Sequence, residues 1–360
     1  MLVNGKKTRA IWYDKEKQKV CVIEQRLLPF EYKIIHLNTT EEVFYAIKDM
    51  IVRGAPVIGA TAAFGVYLAF TEAYSNNTID LKYLKRKAEY LKTARPTAVN
   101  LMFAVDWMMQ SITTSSNISK VLDLALEYAE KDIKDCLQIG EAGLAIIEKK
   151  YLEKKSTVNI LTHCNAGWLA TGEYGTATAP IYLAHDKGIP VHVWVDETRP
   201  RNQGANLTAW ELKQHGVPFS IIADNTGGHL MQHNKVDMCI VGSDRTSVNG
   251  DVANKIGTYL KALAAYDNNI PFYVALPLST IDFNLENGIK NIPIEEREPK
   301  ELAYIKGLTK TGKIEEIRIY PENVNIVNYA FDVTPAKYIT ALITEKGLVK
   351  ANKLDIQKLF

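Results

Sequence analysis

"TVNILTHC" occupies residues 157–164. It is a short apolar run that finishes on polar residues. Four more runs of this kind follow: "VHVWVDE" (191–197), "FSIIADN" (219–225), "DMCIVGSD" (237–244) and "PFYVALP" (271–277). Helix-length segments separate most of them. Continuous apolar strands alternating with helices predict a parallel sheet covered on both faces. A last pair, "VNIVNYAFDV" (324–333) and "PAKYITALITEKG" (335–347), reads as one more strand and a helix, with Gly347 just past the helix end. The fold class expected is therefore α/β.

Ligands of open parallel sheets bind outside the carboxyl ends of the strands. Here those ends are His163–Cys164–Asn165, Asp196–Glu197, Asp224–Asn225, Ser243–Asp244 and Pro277. Cys164, Asp196, Glu197 and Asp244 are expected near one cleft, although the acids serve equally well as helix N-caps.

The region before residue 125 reads differently. "TRAIWYD" (8–14), "KVCVIEQ" (19–25) and "EYKIIHL" (31–37) suggest a strand meander. Helical patterns follow over 40–52, 57–75, 80–92, 98–112 and 118–149. The break in pattern divides the chain into an N-terminal strand-and-helix α+β domain, 1–125, and a second domain, 126–360. At 360 residues the chain is long enough for both.

Composition narrows the function. Hydrophobic residues make up 47% and charged residues 23%, the balance of a soluble globular protein. The net charge of +2 provides no basic face, so neither nucleic acid nor a membrane surface is expected as a partner. The basic stretches Lys15–Lys19, Lys82–Lys87 and Lys149–Lys155 read as solvated faces. No apolar run reaches membrane-spanning length, and the first residues lack a leader-like apolar segment. Cys21, Cys136, Cys164 and Cys239 include no CxxC pair, which weakens zinc and redox-pair readings. Reduced thiols and no leader make the cytoplasm the expected compartment.

Four stretches can carry chemistry. In "RGAPVIGATAAFG" (53–65), Arg53 and Gly54 precede a helix start with Pro56 in its first turn, a place suited to an anion or to close helix packing. "ARPTAVNL" (94–101) adds Arg95 at a second turn-to-helix junction. "VDETRPRNQGANLTAWEL" (195–212) offers Gln203 as a donor beside acid–Arg pairs that can also be structural. In "GSDRTSVNGDVANKIGTY" (242–259), Asp244 ends an apolar strand, where desolvation would suit a proton donor. An Asn249–Gly250 turn is then expected to start a helix carrying Asn254 and Lys255. His163 and Cys164 are neighbours at a strand end, so their side chains should point to opposite faces and not form a catalytic pair. Cys164 itself reads either as a thiol with altered reactivity or as a packed residue. GxGxxG, GxSxG and HExxH are absent.

Taken in order, these strings resemble the S-methyl-5-thioribose-1-phosphate isomerase family of methionine salvage. The matching segments are "RGAPVIGATAAFG", "RPTAVNLMFAVDWM", "ILTHCNAGWLATGEYGTA", "VDETRPRNQGANLTAWEL", "NGDVANKIGTY", "IPFYVALPLSTID", "IPIEERE" and "NYAFDVTP". The resemblance covers nearly the whole chain. It implies a small N-terminal domain and a Rossmann-like catalytic domain, a homodimer, and an aldose–ketose isomerisation with no metal or organic cofactor. It places the catalytic roles on Cys164 and Asp244. It assigns sugar-phosphate binding to Arg53, Gly54, Ala55, Arg95, Gln203, Asn254 and Lys255. Trp168, Glu173, Ser243, Thr246, Ser247 and Tyr329 depart from the family's usual residues, and Trp168 would shape the pocket at the sugar's 5-substituent. Isomerases of 5-deoxyribose 1-phosphate or ribose 1,5-bisphosphate are the neighbouring activities. Non-catalytic regulatory subunits of a translation-initiation exchange factor share the fold family.

Overall fold

The computed structural model describes residues 1–76, 78–96 and 98–359. Thr97, in the Ala94–Leu101 stretch, lies outside the described residues. The chain forms two compact units: Met1–Cys136 with Gly167–Gly175, and Leu137–Ala166 with Thr176–Phe360. The division falls inside the helix Ile118–Lys154, later than the break expected near residue 125. Sequence patterning does not register it, because the same helical periodicity runs through both halves of that helix. Nor does it register that Gly167–Gly175 belongs with the first unit.

In the first unit, strands Ile11–Asp14, Lys19–Ile23 and Ile34–Leu37 form the expected antiparallel meander. Helices Thr40–Lys48, Ala55–Ala73, Leu81–Lys92 and Val99–Ser111 follow. Thr39 caps the first through a reciprocal box with Glu42, which satisfies backbone donors at its start. Ala55–Ala73 is apolar on all sides because it is the core of the unit. Contrary to the sequence expectation, it is long and apolar enough to cross a membrane, yet 83% of its apolar window is buried in the fold. Glu173 accepts from the chain's N-terminal ammonium at 2.9 Å and from Arg9 Nε at 3.1 Å, which accounts for an acid at that position. Trp168 is wholly buried, so it packs in a core and does not line an open pocket as the sequence suggested.

The second unit is built on a seven-stranded sheet. Its spatial order is Phe219–Ile222, Val191–Asp196, Val158–Thr162, Met238–Val241, Phe272–Ala275, Ala341–Thr344, Gly347–Val349. All neighbours are parallel except the last pair. Numbered along the chain, this is the order 3-2-1-4-5-6 of a doubly wound Rossmann-like sheet with an antiparallel edge added. The inner strands are apolar because helices cover both faces. Leu161, Cys239, Val241, Phe272, Val274 and Leu342 lie in one core.

Two sequence expectations fail in this unit. Residues 341–344 form a strand and not a helix, and Gly347, at φ +108°, sits at the turn into the antiparallel edge strand. The β-branched and aliphatic run "ALIT" is too short to tell a buried strand from a helix by periodicity. Asn254 and Lys255 lie on a strand, Val252–Lys255, with the next helix starting at Thr258. That strand belongs to a second, four-stranded sheet. It pairs with Arg245–Ser247 on one side and Phe331–Thr334 on the other.

The helix Ile118–Lys154 packs tightly where it enters this unit. A Cβ at Gly143 would stand 2.4 Å from Pro180 Cγ and 2.9 Å from its Cβ. Gly→Ala in a helix interior gains about 1 kcal/mol of propensity, but overpacking against a rigid ring costs about 1–3 kcal/mol. Gly143→Ala is expected to be destabilising overall, read as a lower urea midpoint with an unchanged slope; a raised midpoint would contradict this packing.

Candidate active site

The sheet order fixes one special place in the second unit. Strands Val158–Thr162 and Met238–Val241 are neighbours, with Ile160 opposite Met238 and Leu161 opposite Cys239. The chain leaves them toward opposite edges, so a crevice opens beyond their carboxyl ends. Cys164 follows the first strand and Asp244 follows the second. The topology thus brings the two sequence candidates to the switch point of the sheet.

Cys164 sits in the left-handed region, φ +65°, so simple strand alternation stops before it. Its backbone N–H donates to Thr198 Oγ1 at 2.8 Å, and its carbonyl accepts from Thr208 Oγ1 at 2.7 Å. Its thiol faces Gln203, with Sγ 3.6 Å from Oε1. Gln203 and Cys164 thus lie side by side.

Asp244 begins the hairpin that returns through Asn254 and Lys255. Its N–H donates to the carbonyl of Ala253 at 2.9 Å. Arg245 pairs with Ala253 in register, which sets Asn254 and Lys255 at the same end of the hairpin as Asp244. Asp244 is exposed at the rim of the sheet. Ser243 and Thr246, two of the departures, bond to each other at 2.9 Å and leave the strand end intact. Asn254 is buried and donates to Thr258 Oγ1 at 3.1 Å. The Lys255 ammonium lies 4.6 Å from the centre of the Phe331 ring, which holds the cation by its π face. Gln203 and Lys255 line one cavity together with Thr198, Arg201, Arg297 and Glu301. Glu301 binds Arg201 at 2.8 Å and Arg297 at 2.6 Å. Arg201 and Arg297 fall within quoted strings but have no role assigned from the sequence, and Glu301 lies outside every one of them. Arg297 and Glu301 lie about a hundred residues from the Gln203 stretch and carry no local signal.

In the first unit, Gly54 caps the helix Ala55–Ala73 with φ +99°. A Cβ there would fall 2.5 Å from that of Ala170 and 2.6 Å from its carbonyl oxygen. Only glycine fits, which explains its place between Arg53 and Ala55. Pro56 lies in the first turn as expected, and no side chain caps the helix start. Arg53 and Arg95 are both half-buried.

The partner of His163 is not its neighbour. Its Nδ1 lies 2.8 Å from Asp196 Oδ2, and its Nε2 lies 2.9 Å from the carbonyl oxygen of Ile256. Lys261 Nζ stands 3.2 Å from the same Asp196 oxygen and donates to the carbonyl of Asp224. His163, Asp196 and Asp224 come close enough to hold a metal ion. The Lys261 ammonium already supplies positive charge to Asp196, so this cluster reads as an internal ion-pair network. Nearby, Asp332 accepts from the N–H groups of Gly257 (2.7 Å) and Tyr259 (3.0 Å), while burial pushes its carboxyl above the usual range. Asp196, expected at the cleft, is instead wholly buried beneath it. Removing one member of a buried charged network leaves the others uncompensated, at a cost of about 3–5 kcal/mol. Asp196→Ala is expected to lower stability by that order in urea unfolding; a loss below about 1 kcal/mol would show that the network is not ionic.

Comparison with known proteins agrees with this architecture. A match to the Initiation factor 2 subunit family spans residues 51–351. The methylthioribose-1-phosphate isomerase of Desulfatibacillum aliphaticivorans is 55% identical, over 100% of this chain and 99% of that protein. The crystal structure of 5-methylthioribose 1-phosphate isomerase from Pyrococcus horikoshii OT3 superposes with a TM-score of 0.85 at 40% identity, covering 99% of this chain and 96% of that one. A crystal structure described as translation initiation factor eIF-2B, subunit delta, from A. fulgidus gives 0.81 at 35% identity, covering 98% and 99%. This chain belongs to the Initiation factor 2 subunit family and, within it, to the methylthioribose-1-phosphate isomerase family.

Proposed function

We propose that the chain is an aldose–ketose isomerase that converts S-methyl-5-thio-D-ribose 1-phosphate to S-methyl-5-thio-D-ribulose 1-phosphate in methionine salvage. Full-length identity to proteins of that name supports the activity. The observation that carries the site is the position of Cys164 and Asp244, after the two strands that flank the switch point.

The chemistry sets the requirements. The phosphate on the anomeric oxygen prevents simple opening of the sugar to a free aldehyde. The bond from C1 to the ring oxygen must break with the electron pair going to oxygen, which takes a proton. Asp244 in its acid form is the donor in this reading. Because its carboxyl is exposed, the bound sugar itself has to exclude water there. Hydrogen then passes from C2 to C1, and the C2 hydroxyl gives up its proton as the ketone forms. No net oxidation occurs. The transfer runs either through an enediol-type ester or as a hydride. Retention of a C2 deuterium at C1 marks the hydride route, and its loss to water marks the other. Cys164 assists the proton movements or stabilises the transition state. Arg53, Arg95, Lys255 and the backbone at Gly54 and Ala55 hold anionic and hydroxyl groups, with Gln203 and Asn254 as neutral donors. The enzyme requires no cofactor in this scheme. It works as a homodimer in the cytoplasm, where its four cysteines, none of them in a disulfide, stay reduced; light scattering tests the assembly.

Asp244→Asn is expected to lower kcat by at least about a hundredfold with little change in KM, the loss typical of a general acid. Near-normal turnover would remove Asp244 from the acid role. Specificity constants for the methylthio, 5-deoxy and 5-phospho sugars decide the substrate. A single thioether or methyl difference is worth about 1–3 kcal/mol, or roughly tenfold to two-hundredfold. Tight binding of the sugar phosphate with no conversion would instead favour a regulatory role.

A further inference from the structure

Cys164 is held by its main chain and not only by its neighbours in the core. A left-handed conformation is uncommon for any residue but glycine, asparagine or aspartate, and costs energy that surrounding structure must offset. Two buried threonines touch the two peptide groups of this residue. Thr198, 1% exposed, accepts from the Cys164 N–H at 2.8 Å and donates to the carbonyl of Asp196 at 3.0 Å. Thr208, 1% exposed, donates to the Cys164 carbonyl at 2.7 Å and accepts from Asn165 Nδ2 at 3.1 Å. Both hydroxyls therefore act as donor and acceptor at once, a role that valine of the same shape cannot fill.

Thr198 is itself constrained. It is β-branched yet has φ +66°, a genuine outlier for such a residue. The Asp224 carboxylate fixes it there by accepting from the N–H groups of Thr198 and Arg199, both at 2.7 Å. Strain of this kind persists where the fold over-determines it, which directs attention to what it positions. What it positions is Cys164, with its Sγ turned to Gln203.

We propose that Thr198 and Thr208 are positioning residues that clamp both peptide groups of Cys164 and so aim its thiol at the reacting sugar. Asp224 serves the clamp from behind. The inference rests on the isomerase reading for its kinetic consequence, but the clamp itself is a statement about one thiol.

The test compares Thr198→Val and Thr208→Val with Thr198→Ser and Thr208→Ser in the full-length protein. Displacement of a reacting group by about 1 Å can cost 10²-fold, so the valine variants are expected to lose at least about tenfold in kcat with KM nearly unchanged, and the serine variants to recover most of it. A second readout needs no turnover. Iodoacetamide labelling of Cys164, followed by peptide mass spectrometry, should speed up about threefold or more in the valine variants, the effect of losing about one hydrogen bond that restrains local opening. Labelling and kcat unchanged in folded valine variants would overturn the clamp. So would equal losses in valine and serine variants, since the hydroxyl would then be irrelevant. If wild-type protein shows no isomerase activity while labelling still follows the hydroxyls, the clamp stands and the functional reading fails.

Discussion

The buried contacts of Asp196 with His163 and Lys261 organise the second unit. His163 follows one strand, Asp196 ends the next, and Lys261 comes from the helix Thr258–Asp267. The same two side chains also bond the carbonyls of Ile256 and Asp224. One knot thereby ties together the segments that carry Cys164, Lys255 and the Thr198 loop. A buried ion pair is expensive to form, because desolvation opposes it, and it gives little net stability. What it gives is geometry. Each oxygen and nitrogen has a fixed partner, so the loops above the sheet have few alternative arrangements. Asp196 Oδ1 is the one carboxylate oxygen of the knot with no hydrogen-bond partner, which concentrates the attraction on Oδ2.

Above that knot, the loops use backbone conformations that a sequence pattern does not encode. Cys164 and Thr198 both have positive φ. In the Cys164 and Thr198 turns, side-chain oxygens meet the exposed peptide groups: Asp224 meets the N–H groups at 198 and 199, and Thr198 and Thr208 meet the peptide groups of Cys164. The hairpin that follows the other central strand is more regular. Its register alone puts Asp244, Asn254 and Lys255 at one end. The two halves of the switch point are thus built by different means: one by capped irregular turns, the other by a strand ladder.

The gradient of burial across the unit matters for reactivity. Cys239, on the central strand, is wholly buried, and desolvation pushes its thiol well above the usual range, so it is inert. Cys164, past the end of a strand, keeps 8% exposure and a polar neighbour in Gln203. Asp196 and Asp244 divide in the same way. The first is sealed in the knot, and the second is open to the crevice. Acids that look alike in the sequence thus differ in depth.

The sequence by itself determined the α/β class, the meander and helices of the first unit, and five of the parallel strands with their polar ends. Apolar periodicity and strand-end chemistry are local, so they are legible along the chain. It also marked Cys164, Asp244, Gln203, Asn254 and Lys255, because each falls in a distinctive string. Only the tertiary structure decided which strands are neighbours, and therefore that Cys164 and Asp244 flank the switch point. It moved Asn254 and Lys255 from a helix to a strand, since pairing with Arg245–Ser247 and Phe331–Thr334 outweighs local preference. It turned 341–344 into a parallel strand for the same reason. And it gave His163 to Asp196, and Thr198 and Thr208 to Cys164. Those bonds join residues 33, 34 and 44 positions apart. At such separations no spacing along the chain can foreshadow a hydrogen bond.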